Sequence, residues 1–245
     1  MFMIGDQQSA TLGLQVAPED VKITYGTGCF IMQNTGNNIL FREGLLSTVT
    51  LQLGPEEPAF YGLEGAVESG AAILNFFQKD LRIFEDFASQ DKKLLERVKN
   101  KDDFFFQNKH LKNKEDLDPN HLSSEIYANE TMLIPSLNSQ CLDVMDLGKT
   151  QKIQIDGGVS KNIYLAHFQA NLLDRDLTRI RNVDGTMRGV FLGCLAFLDR
   201  KRFAKVLGSP LSGRVVKSTN NKEIQKALLQ KYRLFDETIK SLIFK

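Results

Sequence analysis

The sequence predicts an α/β fold in which a mixed sheet is flanked by helices. Alternating apolar residues, interrupted by glycines and polar turns, indicate three antiparallel β segments in the amino-terminal part. In the second half, two short apolar strands each precede a stretch with apolar residues at helical spacing, which is typical of βα units. The 245 residues are 42% hydrophobic and 25% charged, an ordinary globular composition.

Charge and cysteine content exclude several classes of protein. Lys and Arg number 31 and Asp and Glu 30, so no nucleic-acid partner is expected. No apolar run reaches membrane-spanning length, and no membrane span is predicted. The cysteines, Cys29, Cys141 and Cys194, are odd in number and widely spaced, so neither a metal site nor a disulfide framework follows. We therefore expect a cytoplasmic protein.

The amino end combines an apolar start with an acidic residue. Met1 to Ile4 predict the end of a strand, and Gly5 predicts a turn. Asp6 would then lie at a strand end facing a cleft, where α/β proteins often carry chemistry. Spacing alone favours the other interpretation, in which Asp6 caps a helix beginning at Gln7. A chain that begins within a strand indicates the tail half of a larger protein, although a small domain with an early first strand has the same pattern.

A β-hairpin is predicted over 21–36, with further β segments over 39–53 and 60–67. Gly26-Thr27-Gly28 interrupts the hairpin and indicates a tight turn or a close backbone approach. The N–H groups and hydroxyl of such a turn can cradle a phosphate, but a plain hairpin turn is the more frequent explanation. No Walker motif follows it.

The middle of the chain predicts helices of different character. A helix is expected over 68–83, and Gly70 in its first turn would admit a ligand or simply a neighbouring backbone. The charged stretch 84–120 indicates a solvated helix and a loop, and Pro135 should break or kink a helix over 122–146. The apolar residues assigned to the buried side of the first helix are Ala71, Ala72, Leu74, Phe76, Phe77 and Leu81.

The stretch 152–169 is the most informative part of the chain. It predicts a strand, a turn at Asp156-Gly157-Gly158, and a helix capped by Ser160. The glycines remove the Cβ atoms that would block a nucleotide, and free helix N–H groups would face an anion or a polar ring edge. A Gly-Gly turn without a ligand is an equal alternative.

Two further βα elements and a tail complete the order. A strand is expected over 177–180, followed by a helix over 186–198 whose Gly189 fits close packing on a sheet. A linker and an amphipathic helix around 224–235 end the chain. This order is the plan of a ribonuclease H-like, actin-type ATPase domain with a mixed five-stranded sheet flanked by helices.

Five motifs together resemble the FGGY carbohydrate kinase family, and they match its C-terminal half only. The resemblance implies ATP-dependent phosphorylation of a polyol, glycerol to glycerol 3-phosphate, with Mg²⁺ as cofactor and ATP or ADP as ligand. The motifs are GDQQSATLG at 5–13, TYGTGCFIMQNTG at 24–36, GLLSTV at 44–49, YGLEGAVESGAAI at 61–73 and IDGGVSKN at 155–162, the last continued by HFQANLL at 167–173.

The resemblance also implies roles for residues on the polyol side. Asp6 would be the catalytic base that takes the proton from the attacking hydroxyl, and Gln7 would contact another hydroxyl. Phe30 would form part of the apolar wall behind the glycerol carbons.

On the nucleotide side, the resemblance implies that Thr27 contacts the phosphates. Gly70, Gly158 and Asn162 would line the nucleotide site, the last two near the adenine.

The resemblance divides the chain into three parts. Residues 1–20 would end the family's N-terminal domain, 21–200 would form its C-terminal domain with a degenerate stretch over 84–150, and 201–245 would be a linker and helix. The rest of the N-terminal domain, which supplies a second phosphate loop, is not in this sequence, and Leu74 stands where the family usually has Gln. A catalytically inactive nucleotide-binding protein or a truncated fragment is therefore the alternative, and a homo-oligomer is also considered.

Overall fold

The computed structural model describes most of the chain in two compact units. The first unit comprises Met1–Gly70, Gln140–Lys161 and Asp176–Val216, and the second comprises Ala71–Ser139, Asn162–Arg175 and Lys217–Lys245. Within these bounds the described residues are 3–68, 70–80, 82, 85–86, 89, 134–135, 138–139, 141–148, 151–181, 184–218, 222 and 226.

The helices and strands follow in chain order. They are α1 (Asp6–Gly13), β1 (Val21–Tyr25), β2 (Cys29–Gly36), β3 (Leu46–Leu51), β4 (Phe60–Val67), α2 (Ala71–Asn75), a π-helical turn (Phe76–Asp80), β5 (Ile153–Asp156), a 3₁₀ turn (Val159–Lys161), α3 (Ile163–Leu172), β6 (Leu177–Ile180), α4 (Gly185–Leu198), α5 (Arg200–Leu207) and β7 (Gly213–Val216).

The first unit is built on a mixed sheet of seven strands in the order β3-β4-β2-β1-β5-β6-β7. The central pairs β1-β5 and β5-β6 are parallel, and the outer pairs are antiparallel. The predicted fold class is confirmed in its α/β mixed-sheet form, but the described part of the chain contributes seven strands to the sheet and not five. The hairpin over 21–36 contributes two strands, and β7 lies in the predicted linker, where Val216 is buried opposite Leu177.

Strand β1 has one apolar and one polar face. Val21, Ile23 and Tyr25 are fully buried on the first face, as the alternation predicts. Lys22 and Thr24 lie on the other face. Because cross-strand partners share a face, this register brings polar side chains of β5 beside them: Gln154 is opposite Lys22, and Asp156 is opposite Thr24. On the β2 side the partners are apolar, Met32 and Phe30.

Helices α1 and α4 pack closely because glycines stand at their contact. A Cβ on Gly189 would lie 1.8 Å from the carbonyl oxygen of Ser9, and one on Gly13 would lie 1.8 Å from that of Gly185. The Arg188 guanidinium donates to the Gly13 carbonyl oxygen. Gly189 thus serves helix-on-helix packing, and its predicted contact with a sheet is wrong.

The amino end is helical from Asp6 onward. Residues 3 and 4 form no strand, so the predicted strand is wrong for the part of it that is described. The helix begins at Asp6 with Gly5 as N-cap, one residue earlier than the capping interpretation places it.

In the second unit, Asn162 and not Ser160 caps α3. The Asn162 Oδ1 atom accepts a hydrogen bond from the Leu165 N–H (3.0 Å), because a 3₁₀ turn separates the glycine turn from the helix. Ser160 belongs to the first unit, where its hydroxyl donates to the Gly157 carbonyl oxygen (2.7 Å). Leu74 is buried as expected, whereas Ala72 is exposed.

Several other predictions concern residues outside the described part. These are the elements expected over 84–120 and the amphipathic helix around 224–235, of which only single positions are described. Pro135 itself has helical backbone, and its carbonyl oxygen accepts the Ser139 hydroxyl (2.9 Å). No helix in the described ranges is long and apolar enough to span a bilayer. The three cysteines form no disulfide.

Candidate functional site

A cavity of about 740 Å³ opens in the first unit at the carboxyl ends of β5 and β6. This edge of a parallel sheet is where α/β proteins usually bind ligands. It follows that the glycine turn after β5 faces a space large enough for a nucleotide. The lining residues are Thr24, Asp156, Gly157, Gly158, Ser160, Lys161, Arg179, Ile180, Arg181, Asp184, Gly185 and Thr186.

The two glycines of the turn have different environments. Gly157 has φ of +88°, and a Cβ there would lie 2.3 Å from the carbonyl oxygen of Tyr25 in β1. Its identity is therefore required by the fold. Gly158 is exposed, and a Cβ there would meet nothing within 4 Å. Packing gives no reason for glycine at this position, whereas a ligand in the cavity would.

Gly70 packs against the backbone of the Gly26-Thr27-Gly28 turn and donates a hydrogen bond to it. The Gly26 N–H donates to the Gly28 carbonyl oxygen (2.9 Å), and the Gly70 N–H donates to that of Thr27 (2.9 Å). A Cβ on Gly70 would lie 2.7 Å from the Gly26 carbonyl oxygen. Gly70 is buried and supports the turn by packing, while the Thr27 side chain is exposed above it.

Cations outnumber carboxylates around the cavity. Lys161, Arg179 and Arg181 line it, against Asp156 and Asp184. Burial and the positive charges of Arg181 and Arg214 lower the pKa of Arg179, which places these guanidinium groups close together. A cluster of like charges beside an open space favours a polyanionic ligand.

Asp156 carries a carboxylate oxygen that the protein leaves unpaired. Its Oδ1 atom is buried and has no hydrogen-bond partner within the described part of the chain. Burial raises the pKa of Asp156, a hydrogen bond from Thr24 and the charge of Lys22 lower it, and Asp184 raises it. Since unpaired buried oxygens are rare, this one suits a cation or donor brought by a ligand.

The described residues contain no group of three or more His, Cys, Asp or Glu side chains that could hold a metal by itself. Asp156 and Asp184 are the carboxylates that line the cavity. Such a pair fits Mg²⁺ that arrives with a phosphate ligand, because Mg²⁺ commonly keeps several waters and takes only one or two carboxylates.

A buried lysine joins α1 to the cavity wall. The Lys22 side chain is fully buried, and its Nζ donates to Gln7 Oε1 (2.6 Å) and to Thr24 Oγ1 (3.0 Å). Thr24 in turn hydrogen-bonds Asp156. Burial lowers the pKa of Lys22 to about 8, against the opposing charges of Asp156 and Glu64.

Sequence reasoning missed Lys22, Thr24 and Asp156. A lysine inside a strand is usually expected to face solvent, and the sequence pattern predicts only a turn at Asp156. The sequence does contain one signal that could have found them. Lys22 and Thr24 occupy alternate positions of β1, so they share a face, and another predicted strand ends in Asp156. Only the parallel register of β1 and β5 shows that the three share one face.

The predicted site residues fall into several groups. Gly158 lines the cavity, and Asp6 and Thr27 are not among its lining residues. Gln7 reaches the cavity wall through Lys22 and Thr24, and Phe30, 37% exposed, is the cross-strand partner of Thr24. Asn162 belongs to the second unit as the cap of α3.

We expect the stability of the fold to depend on pH through Lys22. Below pH 8 both folded and unfolded chains carry the proton, so the unfavourable burial of the charge is fully present. Between about 8 and 10.5 the folded chain has lost the proton and the unfolded chain has not, so stability rises with pH. At 1.36 kcal/mol per pH unit the rise approaches roughly 3 kcal/mol.

Urea unfolding at several pH values measures this effect as the difference between the wild type and Lys22→Met. The difference isolates Lys22 because other groups titrate alike in both chains. If the difference in the free energy of unfolding stays constant from pH 8 to pH 10.5, the predicted effect of Lys22 is contradicted.

The chain is similar in sequence to glycerol kinases. That of Leptospira biflexa is 33% identical over an alignment of 225 positions that covers 83% of this chain and 43% of the relative. That of Mycoplasma pneumoniae is 32% identical, covering 83% of this chain and 44% of the relative. The chain therefore spans less than half the length of these relatives. A scan against protein-family models found no match.

Solved structures share the fold. Plasmodium falciparum glycerol kinase with ADP superposes with a TM-score of 0.73 at 17% identity, covering 96% of this chain and 50% of that one. Xylulose kinase from Rhodospirillum rubrum superposes with a TM-score of 0.69 at 15% identity, covering 98% of this chain and 51% of that one. The fold is that of the sugar and polyol kinases, an actin-type ATPase fold, as predicted.

Within that class, the chain belongs to the FGGY carbohydrate kinase family, which confirms the predicted resemblance. Its relatives at 31–33% identity are glycerol kinases.

Proposed function

We propose that this chain carries the nucleotide-binding part of an ATP-dependent polyol kinase that converts glycerol to glycerol 3-phosphate. The observation that supports this best is the cavity at the ends of β5 and β6. It combines an unobstructed Gly158, a cluster of cations and an unpaired carboxylate oxygen of Asp156.

ATP would occupy this cavity, with Gly158 beside the base and Thr27 contacting the phosphates. Lys161, Arg179 and Arg181 would offset the negative charge of the polyphosphate. Asp156 and Asp184 would hold Mg²⁺ that accompanies the nucleotide, and the bound ion would supply positive charge to the transferring phosphoryl group.

Glycerol would bind on the α1 side. Asp6, the exposed first residue of α1, would accept the proton of the attacking hydroxyl as its oxygen bonds to the γ-phosphorus. The bond between that phosphorus and the β–γ bridging oxygen would break, and ADP would leave with the electron pair. Gln7 would contact a second hydroxyl, and Phe30 would cover the carbon chain.

Nucleotide binding without phosphoryl transfer is the second candidate function. It is favoured by the position of Asp6, which is not among the residues that line the cavity.

Three expectations from the sequence stay predictions. They are the domain boundaries at residues 20 and 200, a cytoplasmic location and a homo-oligomer.

The test is glycerol-dependent release of ADP from ATP and Mg²⁺ by the purified chain. We expect ADP to form only when glycerol is present, in step with glycerol 3-phosphate. ADP binding by calorimetry without any turnover would support the second candidate. A folded chain that neither binds nor turns over nucleotide would contradict both.

A further inference from the structure

Among the described residues of the first unit, Lys22 is the most buried cation that the proposed phosphoryl transfer does not use. Its side chain has no exposed area, and it is the second residue of β1, a strand that is paired on both sides. A buried ammonium is unfavourable unless its N–H groups find acceptors. Two acceptors are provided, Gln7 Oε1 at 2.6 Å and Thr24 Oγ1 at 3.0 Å.

The hydrogen bond with Lys22 fixes which atom of the Gln7 side-chain amide faces the lysine. A lysine ammonium has donors only, so the amide atom beside it must be the oxygen. The amide nitrogen therefore points away from Lys22. Across the described residues, Gln7 Nε2 has no protein partner, although the side chain is only half-exposed.

The position of Gln7 is itself fixed by its helix. It is the second residue of α1, directly after Asp6, and its carbonyl oxygen accepts the Thr11 hydroxyl (2.8 Å). A side chain tied at its backbone and at Oε1 keeps one orientation, so its N–H groups are preorganised for a ligand.

We propose that Lys22 is a positioning residue of the polyol site, which holds Oε1 of Gln7 so that Gln7 recognises a substrate hydroxyl only as a hydrogen-bond donor. This inference rests on the proposed polyol kinase function. It assigns a chemical polarity to Gln7: a hydroxyl oxygen that can accept a hydrogen bond is selected there.

Stabilising Asp156 and Glu64 is the competing role for Lys22. Both act on it through their charge, whereas its hydrogen bonds go to Gln7 and Thr24. If Lys22 only balanced these charges, its role would not depend on the hydrogen bond to the Gln7 amide. Gln7 is therefore the residue to change.

The experiment measures glycerol affinity by calorimetry in three variants. Gln7→Glu keeps an oxygen for Lys22 but removes the N–H donors, and Lys22→Met removes the ammonium at nearly constant volume. Gln8→Glu makes the same amide-to-carboxylate change one residue along, at a side chain whose amide donates to Thr48 Oγ1 (3.1 Å), and serves as the matched control.

We expect Gln7→Glu and Lys22→Met each to weaken glycerol binding at least about 10-fold, and Gln8→Glu to change it less than about 2-fold. ADP affinity should stay within about 2-fold in Gln7→Glu. Wild-type glycerol affinity in folded Gln7→Glu or Lys22→Met would overturn the proposal. If Lys22→Met does not fold, the Gln7→Glu result decides alone.

A second readout separates this proposal from the proposed function. The side-chain amide signal of Gln7 in a ¹H–¹⁵N spectrum, identified by its loss in Gln7→Glu, should shift in Lys22→Met and stay in place in Gln8→Glu. If the wild type binds no glycerol but the signal shifts, the polyol function fails and the positioning stands. An unmoved signal in folded Lys22→Met would refute the positioning role.

Discussion

Replacing Asp6 by asparagine is expected to slow glycerol phosphorylation by about 10²–10⁴-fold, the usual effect of losing a positioned base. Asparagine has nearly the same shape but cannot accept the proton of the attacking hydroxyl. Asp6 is exposed, and the N-cap of α1 is Gly5, so the change should leave folding intact. Initial rates at saturating ATP and glycerol measure the effect.

A matched control is Asp80→Asn, which makes the same change at an exposed carboxylate in the second unit. Its rate should stay within about 2-fold of the wild type, as is usual for surface changes. Equal rates for Asp6→Asn and Asp80→Asn would remove Asp6 from the reaction and leave nucleotide binding as the function to pursue.

Replacing each of the adjacent glycines of the turn after β5 by alanine should change the free energy of unfolding by very different amounts. In Gly157→Ala, a left-handed backbone and a Cβ 2.3 Å from the Tyr25 carbonyl oxygen both oppose folding. Strain and overpacking contribute about 1–3 kcal/mol each, so a loss of roughly 3 kcal/mol or more is expected. That is a large part of the 5–15 kcal/mol that stabilises a typical domain.

Gly158→Ala should leave the free energy of unfolding within about 0.5 kcal/mol of the wild type, because nothing lies within 4 Å of the added carbon. Urea denaturation of both variants measures the contrast. Equal losses in the two would mean that Gly158 also has a packing role and that its glycine needs no ligand to explain it.

Two strands were predictable as short runs that carry strand-forming residues. β4 and β6 lie where the sequence places them, at Phe60–Val67 and Leu177–Ile180. β7 was missed, because only Val216 of its four residues is buried, which leaves no alternation to detect. The helix cap moved from Ser160 to Asn162, because local spacing does not reveal a 3₁₀ turn.

The candidate site was predictable only in its glycines. Gly157 and Gly158 stand out in the sequence because consecutive glycines after a strand have few structural uses. The hydrogen-bonded series from Gln7 through Lys22 and Thr24 to Asp156 joins α1, β1 and β5, and β5 is far from the other two in sequence. Such a network depends on register and helix placement, which no single stretch of sequence specifies.

Calorimetric titration of ADP with Mg²⁺ into the wild type and Gly158→Ala tests the nucleotide cavity most directly. The account predicts saturable binding by the wild type and affinity about 10-fold weaker in the variant, equivalent to 1.4 kcal/mol, because the new methyl group enters space meant for the ligand. Equal affinity in the two folded proteins would place the nucleotide elsewhere, and no binding by the wild type would contradict the account itself.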